Sequence, residues 1–360
     1  QKRLGDIATY INGYAFKPED RGTEGLPIIR IQDLTGNSYD VGFYNGEYPK
    51  KVEINNGDVL ISWSASLGVY IWNRGKALLN QHIFKVAFDK IEVNEQYFVF
   101  AVEYNLKEME AKMHGATMKH IIKRDFDNIK IPFPSAEKQK EIADILLKVV
   151  NIIENRKQEL KKFDTLVKAR FVELFGDPVS NSYGLPEATL PDLGEFGRGV
   201  SKHRPRNDIK LLGGKYPLIQ TGDVANAGLY ITSYSSTYSE LGLKQSKMWD
   251  KGTLCITIAA NIAKTAILEF DACFPDSVVG FIANERTNNI FVHYWFSFFQ
   301  AILESQAPES AQKNINLKIL SELKVIVPEK RKQDQFASFV KLTDKSKVAV
   351  QKALDEAQLL

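Results

Sequence analysis

The sequence predicts an α+β fold with pseudo-two-fold symmetry, in which two tandem duplicated β-rich domains are joined by two long antiparallel coiled-coil helices. The first observation behind this prediction is an internal repeat, because motifs found between Leu4 and Phe175 recur in the same order from Leu190 to the end of the chain. The second is a heptad spacing of apolar residues after each β-rich segment, which predicts a long helix. The length of 360 residues is sufficient for more than one domain.

The first β-rich domain is predicted over residues 1–134. Short apolar runs at 59–61 and 83–88 are bounded by Gly, Asn and Asp, which is the pattern of short strands separated by turns. The run 57–62 matches 252–257 in the second half of the chain, and this match supports a duplicated domain.

The first long helix is predicted over residues 135–178. Pro134 precedes it and Lys138-Gln139 lies in its first turns, while Gly176 suits the position after a helix and Pro178 cannot continue one. Its apolar seam, with two arginine interruptions, steps by four and three through Ile142, Leu146, Val149, Ile153, Arg156, Leu160, Phe163, Val167, Arg170 and Leu174.

The second half is predicted to repeat this plan after a linker at 179–188, with a β-rich domain at 189–328 and a helix at 329–360. Pro328 and the following Lys-Gln pair match the first helix start, but the second seam is weaker and reaches the end of the chain, so we expect a truncated helix. We expect Phe336 and Val340 to pack on the first helix between Ile142 and Ile153.

Composition and motif searches exclude several classes of protein. The net charge of +3 does not indicate a partner, and the two cysteines have neither disulfide-framework nor zinc-site spacing. No nucleotide-binding, dinucleotide-binding, hydrolase or nuclease motif is convincing, which predicts a chain that is not an enzyme by itself and binds no metal. No secretory signal or membrane-length apolar run is found, so a cytoplasmic protein is expected.

Two features with a possible functional meaning are better explained by packing. His293 lies between aromatic residues and is interpreted as a structural histidine. The dense aromatic run at 291–299 is interpreted as core, because it is too closely spaced for a base-stacking surface.

Candidate DNA-binding residues occur in loops that correspond between the two halves. Arginine and lysine suit phosphates and guanine, asparagine suits adenine, and glycine lets a backbone approach a ligand. For any one of these residues, an ordinary exposed polar side chain in a loop is about as good an explanation as a DNA contact. The candidates are Gly13, Lys17, Ser64, Ser66, Lys119 and His120 in the first half, and Arg198, Lys202, His203, Arg204, Arg206, Asn261, Lys264, Lys313 and Asn314 in the second.

The repeat order, the paired Pro and Lys-Gln helix starts, and Gly176-Asp177-Pro178 together resemble the specificity (S) subunit of type I restriction-modification systems, over nearly the whole chain. The resemblance implies two target recognition domains that each read one half of a bipartite double-stranded DNA site, with the helices setting the spacer. The chain departs from the family pattern in its second helix, which lacks an equivalent of Phe175-Gly176.

The resemblance also implies partners and a division of chemistry. DNA methyltransferase (M) subunits would dock on the helices, and a restriction/translocase (R) subunit would join the complex. S-adenosylmethionine, ATP and Mg would be bound by these partners, with no cofactor in this chain. We expect the apolar end of the first helix, Phe171, Leu174 and Phe175, to be exposed and to contact a methyltransferase, with internal packing as the alternative.

Two other functions remain open at this point. The chain could be a non-enzymatic tandem scaffold that binds proteins and dimerises through a coiled coil, or the specificity part of a fused restriction-methylation enzyme. Salt dependence distinguishes the scaffold from a DNA reader, whose affinity falls steeply as salt rises.

Overall fold

The computed structural model describes residues 1–37, 40–113, 120–306 and 315–359. The chain divides into two compact units, residues 1–152 and residues 153–360, and the division falls inside the first long helix. We call them unit 1 and unit 2.

Unit 1 contains two four-stranded sheets and one two-stranded ribbon. The central sheet has the order β2-β9-β6-β7, the second sheet has the order β4-β3-β8-β5, and β1 pairs with β10. Neighbouring strands are antiparallel except β3 and β8. The strands are β1 (Lys2–Arg3), β2 (Thr9–Asn12), β3 (Leu26–Ile29), β4 (Phe43–Tyr44), β5 (Glu53–Ile54), β6 (Val59–Ser62), β7 (Gly68–Ile71), β8 (Ala77–Leu79), β9 (Ile83–Ala87) and β10 (Lys130–Ile131).

Helices cover the central sheet of unit 1. Residues of α3 and α5 share a buried core with β2, β6 and β9, and the Asn94 side chain caps α3 by accepting a hydrogen bond from the Tyr97 N–H. The helices are α1 (Leu4–Ile7), α2 (Ile31–Leu34), α3 (Glu95–Tyr104), α4 (Leu106–Ala111), α5 (Lys123–Asp127) and α6 (Ala136–Phe175), which continues into unit 2.

Unit 2 repeats the plan, with central sheet order β12-β20-β17-β18-β14, second sheet order β15-β13-β19-β16, and β11 paired with β21. Its strands are β11 (Glu187–Ala188), β12 (Gly194–Arg198), β13 (Leu212–Leu218), β14 (Tyr230–Ile231), β15 (Ser236–Tyr238), β16 (Met248–Trp249), β17 (Leu254–Thr257), β18 (Thr265–Leu268), β19 (Ala272–Cys273), β20 (Val278–Ala283) and β21 (Val325–Ile326). Its helices are α7 (Leu190–Leu193), α8 (Thr221–Asn226), α9 (Glu240–Lys244), α10 (Asn289–Gln306), α11 (Leu317–Glu322) and α12 (Lys330–Gln358).

The two predicted long helices are α6 and α12, and their bounds lie close to the predicted ones. Gly176 follows α6 with a φ of 75°, and its N–H donates to the Val172 carbonyl, as expected for a glycine that ends a helix. Within unit 2, α6 and α12 run antiparallel, because Phe336 near the start of α12 contacts Phe171 while Lys347 further along contacts Asp164.

The expected register of the helices is wrong. Phe336 lies 5.4 Å from Phe171 and 5.7 Å from Phe175, measured between ring centroids, so it packs near the end of α6 and not between Ile142 and Ile153. A heptad pattern permits several registers that differ by whole turns. Here the aromatic core of unit 2 selects one of them.

The expected exposure of Phe171 and Phe175 is also wrong, since both side chains are fully buried and Leu174 is half-buried. Phe171 stacks on Phe291 of α10 at 5.3 Å. The aromatic run of α10 belongs to the core, as predicted. Its rings pack against Phe171 and Phe175, so these two side chains need no partner protein to cover them.

Candidate DNA interface

The loops predicted to contact DNA in unit 2 meet at one edge of the central sheet. Arg198 at the end of β12 lies opposite Val279, and Thr257 at the end of β17 lies opposite Val278, so both strands end where β20 begins. Because β12 and β17 flank β20, the loops that follow them are neighbours. We call residues 199–206, 258–264 and 274–277 the second sheet edge.

Unit 1 has the equivalent edge. Asn12 at the end of β2 lies opposite Phe84, and Ser62 at the end of β6 lies opposite Ile83, at the start of β9. We call residues 13–17, 63–67 and 80–82 the first sheet edge. The loops that were predicted to correspond between the two halves therefore lie at equivalent positions on the two central sheets.

The two edges are held by the same main-chain hydrogen bonds. In unit 1 the Trp63 N–H donates to the His82 carbonyl at 3.1 Å, and the Ile121 N–H donates to the Trp63 carbonyl at 3.0 Å. These bonds fix the loop after the strand without using its side chains. The equivalent bonds in unit 2 run from Ile258 to Ser277 at 3.0 Å and from Ile315 to Ile258 at 2.9 Å.

The turn that follows each strand is also repeated. The Ser62 hydroxyl donates to the Ser66 carbonyl at 2.6 Å, and Ala65 between them has a φ of 57°. Alanine is disfavoured in this left-handed region, so the surrounding bonds hold a strained turn. In unit 2 the Thr257 hydroxyl donates to the Asn261 carbonyl, and Ala260 has a φ of 63°.

Gly13 and Gly199 do not leave room for a ligand. A Cβ on Gly13 would lie 2.0 Å from the Asn80 carbonyl oxygen, and a Cβ on Gly199 would lie 2.3 Å from that of Phe274. The expectation that glycine here allows a ligand to approach is wrong, because the space is filled by the protein's own backbone.

An aromatic groove of about 430 Å³ lies at the first sheet edge. Trp63 is half-buried, stacks on Phe84 at 5.6 Å and donates its Nε1–H to Asn12 Oδ1 at 3.1 Å. The Lys123 ammonium lies 5.3 Å from the Tyr10 ring centroid and also pairs with Asp127. The groove therefore offers flat apolar surface beside a lysine.

His82 stands beside Trp63 with a ring-centroid distance of 4.9 Å. Burial lowers the pKa of His82, and the nearby His120 lowers it further. Neutral histidine carries one donor and one acceptor nitrogen, so His82 is suited to hydrogen bonding more than to charge pairing with phosphate.

The cationic loop of the second sheet edge is partly neutralised. Arg204 pairs with Asp276 at 3.4 Å, Arg206 pairs with the same carboxylate, and His203 lies 3.0 Å from Asp208. The sequence predicts a loop of unpaired positive charges. That prediction is wrong for Arg204 and Arg206, which pair with Asp276, and for His203, which lies beside Asp208. The side chains remain exposed and able to exchange partners.

Four other candidates of unit 2 differ in their surroundings. Arg198 and Lys202 are exposed and, within the described ranges, make no ion pair. Asn261 is exposed, and in the part of the chain that the structure describes its side-chain amide has no hydrogen-bond partner. Lys264 is half-buried and lines a cavity beside α6, α10 and α12.

In unit 1, Lys17 and Ser66 are exposed and His120 is half-buried. Ser64 is only 1% exposed and its backbone bridges to His120, so the expectation of a DNA contact through its side chain is wrong in this structure. The candidates Lys119, Lys313 and Asn314 lie outside the described residues.

Several residues at the edges are not found by sequence reasoning. Gln245 accepts hydrogen bonds on Oε1 from the Lys202 and His203 N–H groups at 2.7 and 3.0 Å, and so holds the cationic loop. Nothing in the sequence connects Gln245 with that loop. Trp63 could have been found, because it is a single large aromatic residue in a loop of small polar residues.

Within the described ranges no group of His, Cys, Asp or Glu side chains could hold a metal ion, and no helix is long and apolar enough to cross a membrane. Cys255 and Cys273 are buried free thiols, and burial raises the pKa of both.

Comparison with known proteins agrees with this duplicated architecture. The family model described as the type I restriction modification DNA specificity domain matches residues 1–162 and again residues 187–357. This chain belongs to that specificity family. Members of the family are the non-catalytic subunits of type I complexes, and they bind DNA and assemble with other restriction-modification subunits.

Two curated relatives match most of this specificity-family chain. It is 24% identical to the Escherichia coli type I restriction enzyme EcoBI specificity subunit, over 92% of this chain and 76% of that protein. It is 22% identical to the putative type I restriction enzyme MjaX specificity subunit of Methanocaldococcus jannaschii, over 95% of this chain and 86% of the relative.

The fold is shared with solved structures of the family. The crystal structure of the type I restriction-modification S subunit from M. genitalium superposes with a TM-score of 0.62 and 16% identity, covering 99% of this chain and 92% of that one. A chain from a structure of type I restriction-modification complex assembly and conformational transition gives a TM-score of 0.59 at 15% identity, with 99% and 93% covered.

Proposed function

We propose that this chain reads a bipartite double-stranded DNA site, with one half-site recognised by each unit. The observation that carries the proposal is the repeated sheet edge, which has the same main-chain hydrogen bonds in both units and different side chains. Trp63 and His82 in unit 1 stand where Ile258 and Ser277 stand in unit 2. One backbone frame with two sets of side chains suits two different half-sites.

Chemistry belongs to other subunits in this proposal. DNA methyltransferase subunits bind S-adenosylmethionine, and a restriction/translocase subunit binds ATP and Mg. This chain supplies the surfaces that recognise the DNA sequence, and the complex acts in the cytoplasm. The predicted division into recognition domains at 1–134 and 189–328, separated by spacer helices, is retained as part of the proposal.

For methyltransferase docking we propose a different surface from the buried Phe171 and Phe175. Ile145 and Ile152 of α6 are 53% and 48% exposed and lie one heptad apart, so they are on one face of the helix. Large exposed apolar side chains with this spacing suit a partner helix or an apolar groove. The partner is the methyltransferase subunit.

The docking surface is tested by co-purification of the methyltransferase with an Ile145→Ser, Ile152→Ser double variant. Loss of the complex with an unchanged melting temperature is the expected result. Val150→Ser is the matched control, because Val150 is 42% exposed but lies off this face. Equal retention of methyltransferase by the double variant and the control would overturn the docking surface.

The reading of DNA is tested by selecting bound duplexes from a random library with the assembled methyltransferase complex. Trp63→Ala is expected to relax preference in one half-site only, and Arg198→Ala in the other only. Binding should weaken steeply with salt, since lysine and arginine contacts to phosphate release counterions. A complex that shows no sequence preference contradicts the proposal. So does a single variant that changes the base preference in both half-sites.

A further inference from the structure

A cavity of about 310 Å³ lies within unit 2, and Lys264 of the second sheet edge is one of its lining residues. Its walls come from α6, α8 and the segment after it, α10, α12, and the start of β18 with the residues just before it. Apolar wall residues include Val224, Ala227 and Leu229, and polar ones include Thr265, His293 and Ser297. The cavity is therefore lined by both apolar and polar residues.

Three lysines from three separate elements line this cavity: Lys168 of α6, Lys264 before β18 and Lys347 of α12. Asp164 is the carboxylate among the lining residues, and its Oδ1 lies 2.6 Å from the Lys347 ammonium. Within the described ranges neither Lys168 nor Lys264 makes an ion pair. The lining groups thus carry two uncompensated positive charges.

Other titratable groups surround the cavity. His293 Nδ1 lies 2.9 Å from the Thr265 hydroxyl, and burial together with Lys347 lowers the pKa of His293 to about 4, so the ring is neutral at pH 7. Burial raises the pKa of Tyr294 and also that of Asp344, one turn before Lys347. Asp344 is the second acidic group nearby, and it is not among the lining residues.

We propose that this cavity binds a phosphoryl group through Lys168, Lys264 and Lys347. Lys168 is exposed, with its ammonium 6.0 Å from the Phe298 ring centroid, and Lys264 and Lys347 are half-buried. A phosphate that contacts these three ammonium groups would accept charge-assisted hydrogen bonds from them. The Thr265 and Ser297 hydroxyls can add weaker bonds, and the apolar lining residues can contact the group that carries the phosphate. The phosphate comes either from the DNA backbone or from a small free molecule.

The site is tested with inorganic phosphate as the probe, at constant ionic strength, by following the melting temperature of the full chain. Phosphate should stabilise the wild type saturably, and Lys168→Gln with Lys264→Gln should weaken the fitted Kd at least tenfold. The control is Lys161→Gln with Lys162→Gln, which removes two exposed lysines of α6 outside the cavity and should leave the Kd unchanged. Circular dichroism without phosphate checks that both variants fold.

The absence of saturable phosphate binding, or equal Kd values for the cavity variant and the wild type, would overturn the site. A duplex that competes with phosphate identifies the DNA backbone as the source, and this arm rests on the proposed reading of DNA. Simultaneous binding of duplex and phosphate identifies a free phosphorylated molecule. Phosphate binding by the chain, together with no DNA binding by its assembled methyltransferase complex, would disprove the recognition proposal and leave the cavity proposal standing.

Discussion

The side-chain amide of Gln139 donates a hydrogen bond from Nε2 to the carbonyl of Pro134 over 2.9 Å. The repeat has the same bond, from Gln333 to Pro328 over 2.8 Å. Both glutamines are almost fully buried at the start of a long helix. The matching Pro and Lys-Gln motif that first indicated a repeat is thus the signature of a buried join between each β-rich segment and its helix.

Replacing Gln333 by alanine is expected to destabilise the chain by about 2 kcal/mol, because it leaves buried groups without partners. Gln333 also accepts from the Thr287 hydroxyl at 2.8 Å and donates to the Arg286 carbonyl at 3.0 Å. Urea unfolding measures the effect. Gln351→Ala removes an exposed glutamine of the same helix and should change stability by less than about 0.5 kcal/mol. Equal effects would argue against the join.

Ala260→Gly is expected to leave stability unchanged or to raise it by up to about 1 kcal/mol. Glycine adopts the left-handed conformation of Ala260 without a steric penalty, although it makes the unfolded chain more flexible. Ala260→Val should destabilise the chain, since a β-branched residue is strongly disfavoured there. The melting temperatures of the two variants measure these effects. An Ala260→Val protein as stable as the Ala260→Gly protein would contradict the interpretation of a strained turn.

Asn261→Ala is expected to relax base preference at one position and to cost about 1–3 kcal/mol in binding there, with no change in melting temperature. Its carbonyl, not its side chain, holds the turn, so truncation leaves the fold intact. Binding to single-base variants of the selected duplex measures this. Asn45→Ala, which removes an exposed asparagine side chain of unit 1, is the control. A destabilised Asn261→Ala protein with full preference would end the base-contact claim.

Asp276→Ala is expected to strengthen DNA binding and to make it more dependent on salt. Removal of this carboxylate frees Arg204 and Arg206 to contact phosphates, and one further phosphate contact raises the slope of log K against log salt by about one. Glu285→Ala removes an exposed carboxylate elsewhere in unit 2 and should alter neither quantity. Unchanged affinity of Asp276→Ala would show that these arginines face away from DNA.

The stability of unit 2 is expected to fall as the pH is lowered from about 6.5 to 4. The pKa of His293 is lowered from 6.5 to about 4 in the folded chain, so the unfolded chain binds the proton first and is favoured in this window. The loss should reach about 2–3 kcal/mol. Urea unfolding at several pH values measures it, and His293→Gln should flatten the profile. A His293→Gln profile as steep as that of the wild type would assign the effect to other groups.

The sequence predicts the architecture better than the contacts, for physical reasons seen at particular residues. Apolar periodicity and the repeat identify α6, α12 and the loops at both sheet edges, because burial imposes those patterns. The heptad seam could not fix which turn of α6 meets Phe336. Nor could it show that Phe171 is buried, because its partner Phe291 is distant in sequence. Likewise, the charge of Arg206 is visible in the sequence, but its neutralisation by Asp276 is a tertiary contact.

The main-chain bonds from Trp63 to His82 and from Ile258 to Ser277 have an evolutionary consequence. Backbone atoms are the same in every residue except proline, so a mutation that changes the side chains at these positions leaves the bonds in place. The loops of either edge can therefore accumulate substitutions, or be exchanged by recombination, while the sheet beneath them still folds. New binding preferences can then arise in one half of the chain without altering the other.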